Sequence, residues 1–203
     1  MANYSLVRVF VEKLYTEVRE AKLLLLDILH NMMEYTDLRK DVLDTPAMKY
    51  FTEYLHSSDE EICAGAARCI GDLAVETQGK TQADGSGTVE VLTDHILGTE
   101  KERRPSMAPI VYALMTILID VEARYRVLKR KSGLLERVVR LAYHPCLEVA
   151  VNCIKIATIL AESPEGRRFY LENLPKVEAL QDLPEPGLRR SAEILASVIN
   201  WKP

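Results

Sequence analysis

The sequence predicts an all-α protein built as a right-handed superhelical solenoid, and three observations predict it. Leu, Ala, Glu, Lys and Arg dominate the 203 residues while aromatics make up 6%, a balance that leans towards helix. Ile62, Ala66, Cys69, Ile70 and Leu73 fall at i, i+4, i+7, i+8 and i+11, one apolar face of an α-helix. The same face returns 87 residues later as Val149, Cys153, Ile156, Ala157 and Leu160, with Glu61 superposed on Glu148.

An interval of 87 is too long for one helical unit and suits two of about 43. Further copies lie where that division requires them. Ala21, Leu25, Ile28, Leu29 and Met32 form the first, and Ile110, Ala113, Leu114 and Ile117 the third. Read at Asn31, Asp72, Thr116 and Ile159, the steps are 41, 44 and 43, the range of armadillo and HEAT arrays. A second apolar helix precedes each copy: "SLVRVFVEKLYTEV", "PAMKYFTEYLHS", "TVEVLTDHILG" and "GLLERVVRLAYH". Before three of these lies a shorter amphipathic piece, "TDLRKDVL", "VEARYRVLKR" and, weakest, the stretch around "TQADGSGT", which replaces what should be a first helix and leaves the join between the second and third repeats irregular. Short, longer, longest is the armadillo order, so an armadillo-like solenoid is expected.

The expected organisation is a single domain, with repeats over about 4–36, 37–79, 80–121 and 122–166. Capping helices follow across 167–203, drawn from "NLPKVEAL" and "LRRSAEILASVI", because a stacked array exposes its last apolar face unless something covers it. "LAVETQGKTQ" and "LAESPEGRRFY" read as exits from third helices. Gly79 and Gly166 are expected at positive φ there, with Pro164 stopping the helix. At the other end Leu6, Val7, Phe10, Val11 and Leu14 begin the array with no cap, so Leu6, Phe10 and Leu14 are expected as an exposed apolar edge.

Several classes of function find no support in the residues. A net charge of −4 gives no reason to expect a nucleic-acid partner. The longest uncharged run, Pro105 to Ile119, is too short to span a membrane and contains two prolines. Arg8, Glu12 and Lys13 interrupt the first apolar stretch, unlike a signal peptide, which points to an intracellular, reduced protein. Cys63, Cys69, Cys146 and Cys153 read as buried core thiols. The histidines show no ligand spacing; His56, His95 and His144 are expected to end second helices, where a cation suits the dipole. "QGKT" lacks the glycine five residues earlier that a phosphate loop needs, and a helix rather than a strand precedes it. The Asn3-Tyr-Ser5 sequon reads as chance without a secretory signal. No catalytic, cofactor-binding or metal-binding residue, cofactor or small-molecule substrate is expected. The basic stretch Arg124, Arg126, Lys129, Arg130 and Lys131 reads as a solvated helix face, or else as a contact for acidic tubulin tails, which would place the chain near a microtubule, or for a partner's acidic helix.

What remains is protein binding. Armadillo proteins that hold extended peptides, such as nuclear import adaptors, line the concave face with third-helix asparagines interleaved with tryptophans. The matching positions here are Asn31, Asp72, Thr116 and Ile159, and the one tryptophan is Trp201. The expected partner is therefore a helix or folded surface. A neighbouring row, Asp27, Arg68, Tyr112 and Lys155, runs acid, base, aromatic, base, a pattern suited to fixing a partner's register.

"LAESPEGRRFYLENLP" followed by "RRSAEILASVINWKP" resembles the end of the radial spoke protein 14 family, armadillo components of the ciliary and flagellar axoneme. The most specific pieces are Leu160–Ala161–Glu162, Pro164–Glu165–Gly166–Arg167, and Ser197–Val198–Ile199 with Lys202–Pro203. "SLVR", "LLLLDIL" and "EEICAGAARCI" align more loosely with its earlier repeats. The resemblance implies a structural subunit of the radial spoke, sited in the axoneme and cytoskeleton, with other spoke or axonemal proteins as partners. That family's chains are generally longer, with repeats ahead of the matched region. A free armadillo adaptor, for import cargo or a chaperone, is the competing class.

Overall fold

Apolar residues at helical spacing, punctuated by short polar corners, produce helices throughout the computed structural model, which describes residues 6–98, 104–130 and 133–201. They are α1 (Leu6–Thr16), α2 (Arg19–Met32), α3 (Thr36–Leu43), α4 (Ala47–Tyr54), α5 (Glu60–Leu73), α6 (Thr77–Gly85), α7 (Thr88–Leu97) and α8 (Met107–Ile117). Then come α9 (Val121–Arg130), α10 (Gly133–Leu141), α11 (Leu147–Ala161), α12 (Pro164–Glu172), α13 (Leu174–Glu178), a 3₁₀ turn (Ala179–Asp182) and α14 (Pro186–Asn200). No strand occurs among the described residues. The protein is an all-α, armadillo-like solenoid. The Asn3 sequon, Lys131 and the Lys202–Pro203 finish lie outside the described residues.

The third helices α2, α5, α8 and α11 stack in series, and α14 lies on α11 as the next member would. Their contact is close because it pairs large with small. Leu26 of α2 meets Gly65 of α5, where an added Cβ would stand 3.0 Å from the Leu26 Cδ1. Cys69 Sγ–H points at the Leu26 carbonyl, 3.5 Å away. Leu29, Ile70, Leu114 and Leu160 are fully buried along the same stack.

A ladder of basic residues ties the units together at the steps the apolar faces keep. Arg39, Lys80, Arg124 and Arg167 recur at 41, 44 and 43 residues, each in the first turn of a first helix. Each donates back to a carbonyl at the end of the preceding third helix: Met33 at 2.9 Å, Val75 at 3.1 Å, Leu118 at 3.3 Å and Ala161 at 3.3 Å. Those carbonyls are the ones a helix terminus leaves unpaired. Arg39 and Arg124 also reach forward, to Glu76 (2.9 Å) and Glu162 (2.7 Å), while Arg167 lies over the Trp201 ring. The expectation of a solvated basic face therefore fails for Arg124, which is nearly buried and fully engaged. Arg126 and Arg130 pair with Asp84 and Glu90.

Four more expectations need correction. The first helix taken as missing is present: α6 runs through "TQGKTQADG", seated by buried Ala83 and by Gln82 donating to the Leu43 carbonyl at 2.8 Å. Gly79 and Gly166 lie inside α6 and α12 rather than at exits, and among the described residues only Gly87 has positive φ (74°). These two are glycine for a different reason: a Cβ would fall 1.9 Å and 2.0 Å from the carbonyl oxygens of Leu73 and Leu160. Pro164 opens α12, whose Ser163 cap accepts from the Gly166 N–H at 3.2 Å. Cys63, Cys69 and Cys153 are buried, with burial pushing the Cys69 and Cys153 thiols up, but Cys146 is exposed ahead of α11. Of the N-terminal edge, Leu6 is exposed, Phe10 packs partly on the core, and Leu14 is wholly buried with Val7 and Val11. Leu14 faces inward because α1 turns that side to α2 and α4, and the Tyr54 hydroxyl donates to its carbonyl.

His95 also departs from its expected role. It sits in the last turn of α7, yet burial first, and the Arg104 cation second, hold its pKa below the usual 6.5. The neutral ring is used at both ends: Nε2–H donates to the Leu55 carbonyl at 2.8 Å, and Nδ1 accepts from Arg104 Nη2 at 2.6 Å.

Candidate partner-binding groove

On one face of the third helices, side chains at i, i+4 and i+7 face away from the stack, and successive helices bring them into line. A groove of about 730 Å³ crosses this face, with contributions from α2, α5, α8 and the first turn of α11. Apolar Leu23, Ala64 and Ala108 line it together with the carboxylates of Asp27, Glu61, Asp72 and Glu148. Arg68 and His30 line it too, and Tyr112 supplies its aromatic surface.

The charges are arranged across repeat junctions. Arg68 Nη2 donates to Asp27 Oδ1 at 3.0 Å. His30 Nδ1 and Asp72 Oδ2 lie 2.6 Å apart, and burial pushes the Asp72 carboxyl above its ordinary range while the His30 hydrogen bond opposes the rise. Glu61 and Asp59 share the guanidinium of Arg19 at the groove's edge. That pairing holds Asp59 below the usual carboxylate range, and Asp59 also caps α5 by accepting from Glu61 N–H and Ile62 N–H. Four carboxylates thus line the groove against one guanidinium.

Tyr112 is held by a neighbour that has no side chain. A Cβ on Gly71 would lie 2.6 Å from the Tyr112 ring, so the tyrosine of α8 leans across onto the bare backbone of α5. A glycine at this place makes room for an aromatic one repeat on.

Of the eight inner-face residues expected from the sequence, the groove gathers Asp27, Arg68, Asp72 and Tyr112. The other four do not line it. Asn31 is exposed, its amide donating to the Asp27 carbonyl at 2.7 Å. Thr116 is buried, its hydroxyl donating to the Tyr112 carbonyl at 3.0 Å. Ile159 packs on the core, and Lys155 is exposed further along α11. His30, Glu61 and Glu148 belong to the groove but were not singled out as binding residues. The sequence carried a signal for two of them, since Glu61 and Glu148 superpose at the 87-residue interval.

No family model matches the chain. Solved structures do. An engineered protein superposes with a TM-score of 0.84 at 20% identity, over 97% of this chain; the chain spans 48% of that protein's length. A designed armadillo repeat protein in complex with the peptide (KR)4 gives 0.83 at 17% identity, covering 96% of this chain and 82% of its own. A computationally designed armadillo repeat protein for modular peptide recognition gives the same values. At such identities the likeness concerns the fold.

Proposed function

We propose that the chain is a non-catalytic armadillo scaffold whose groove holds a basic helical or folded segment of a partner protein. The carrying observation is the lining: Asp27, Glu61, Asp72 and Glu148 outnumber Arg68, and Tyr112 offers one aromatic anchor among them. Complementary charge sets register and speeds encounter, while a buried aromatic contributes most of the affinity. A helix suits the groove better than an extended strand, because Asn31, Asp72, Thr116 and Ile159 provide no row of amides to bond a peptide backbone.

The setting we propose is the radial spoke of cilia and flagella, where the chain joins other spoke or axonemal proteins as a structural subunit. The resemblance at Leu160–Arg167 and Ser197–Ile199 is what supports it. The test is fractionation of ciliated cells carrying the tagged chain. Recovery with salt-extracted axonemes is expected. Recovery wholly in the soluble fraction would leave the free adaptor as the better reading.

A further inference from the structure

Three of the four carboxylates in the groove already have a basic partner from this chain. Asp27 accepts from Arg68 at 3.0 Å, Asp72 Oδ2 lies 2.6 Å from His30 Nδ1, and Glu61 accepts from Arg19. Glu148 stands exposed in the first turn of α11, and no cation among the described residues pairs with it. The repeat explains the difference. Glu61 and Glu148 are equivalent, and each lies in the first turn of a third helix. Glu61 receives the guanidinium of Arg19, the first residue of the third helix before it. Adding the steps of 41 and 44 to Arg19 gives Arg104, just ahead of α8. Arg104 does not reach forward. Its side chain is 7% exposed and turned back, with Nη2 donating to His95 Nδ1 at 2.6 Å and Nη1 3.8 Å from Glu60 Oε1. The Ser106 hydroxyl donates to the other oxygen of Glu60.

We infer that Glu148 receives an arginine side chain of the bound segment, in the way that Glu61 receives Arg19. This rests on the reading of the groove above and adds to it the contact that fixes the partner's register. Asp27, Asp72 and Glu61 must share or give up a group they already hold, whereas Glu148 exchanges only water for the new charge. Arginine suits the place better than lysine. Pro105, Ala108 and Pro109, at the N-terminal end of the adjoining α8, give the groove apolar surface there. A planar guanidinium is more weakly hydrated than an ammonium and lies more readily against such a surface.

The probe is a fluorescently labelled amphipathic helical peptide of leucine, alanine and arginine, with citrulline, neutral and of the same shape, replacing each arginine in turn. Anisotropy reads its affinity for the full chain. We expect one arginine whose replacement weakens binding about tenfold in the wild type and not in Glu148→Gln. The same replacement should keep its cost in Asp27→Asn and Asp72→Asn. Glu148→Gln alters an exposed side chain and should melt as the wild type does. A citrulline cost undiminished in Glu148→Gln would overturn the assignment, as would binding that no single citrulline weakens. Coupling to Asp27 or Asp72 in its place would overturn it too, while leaving the groove reading standing. A peptide that does not bind, or binds equally to Glu61→Lys with Glu148→Lys, would overturn both. Concentration-dependent self-association abolished by Glu148→Gln would give the site to a second copy and overturn the assignment likewise.

Discussion

Arg68 on α5 and Asp27 on α2 form a 3.0 Å ion pair across the first repeat junction, at the mouth of the groove. The two positions are equivalent in the repeat, so the pair links like places in neighbouring units rather than one unit to itself. Both side chains stay about half exposed, which makes the pair weak as a staple and available to a partner.

Reversing Arg68 and Lys155 to glutamate should therefore leave the thermal transition nearly unchanged, since exposed pairs contribute roughly 0.2–1 kcal/mol. On the proposed function the variant that loses incorporation into the axoneme is instead Glu61→Lys with Glu148→Lys, which reverses two carboxylates of the groove and repels a basic segment, whereas the change at Arg68 only adds to its acidity. Circular dichroism melts and axoneme fractionation read the two effects separately. Normal melting with wild-type assembly would move the binding surface off this face.

The glycines divide sharply by what surrounds them. Gly79→Ala and Gly166→Ala should each be destabilising by roughly 1–3 kcal/mol or more, because the clash is with backbone carbonyls that have nowhere to go. Gly85→Ala, with nothing within 4 Å, should be neutral or stabilising by up to about 1 kcal/mol. Gly71→Ala should destabilise through Tyr112, and Tyr112→Ala should relieve most of that penalty. Denaturant titration of the five single variants and of the Gly71→Ala, Tyr112→Ala double variant checks the order.

His95 gives the fold a pH dependence of known sign. Its folded pKa lies below 6.5, so just below that pH the unfolded chain takes up a proton that the folded chain refuses. Stability contributed by the neutral ring is present above pH 6.5 and is lost as the pH falls towards the folded value. The groups acting on the ring are Arg104, His56 and Glu60. His95→Gln should flatten this part of the stability profile, read as urea midpoints across the acidic range. An identical slope in wild type and variant would assign the dependence elsewhere.

Arg124→Met should cost about 1–3 kcal/mol, since it strands the Leu118 and Ile119 carbonyls and removes the partner of Glu162. Arg130→Met, on the same helix but largely exposed, should change the midpoint by under about 1 kcal/mol. Paired melting curves test the contrast, which separates a helix-capping arginine from a solvated one.

Comparison of expected and observed features shows where sequence reading stops. "TDLRKDVL" and "VEARYRVLKR" match α3 and α9 end to end, because each is a strong amphipathic pattern. "TQGKTQADG" has little apolar periodicity, and α6 forms there because neighbours seat Ala83 and Gln82. The ladder of Arg39, Lys80, Arg124 and Arg167 was legible at the same steps as the apolar faces. It was overlooked because a basic residue in an amphipathic helix ordinarily reads as solvent-facing.

The sequence by itself determined that the chain is helical, that third helices recur at 41, 44 and 43 residues, and that they carry one apolar face each. Those properties are local: periodicity and spacing fix which side of each helix seeks cover. Only the tertiary structure decided that Arg68 meets Asp27, that Gly71 makes room for Tyr112, and that Leu14 is buried while Leu24 is open. The physical reason is that these depend on the distance and rotation between stacked helices, which the packing of large side chains against small ones sets and which no single helix's sequence contains.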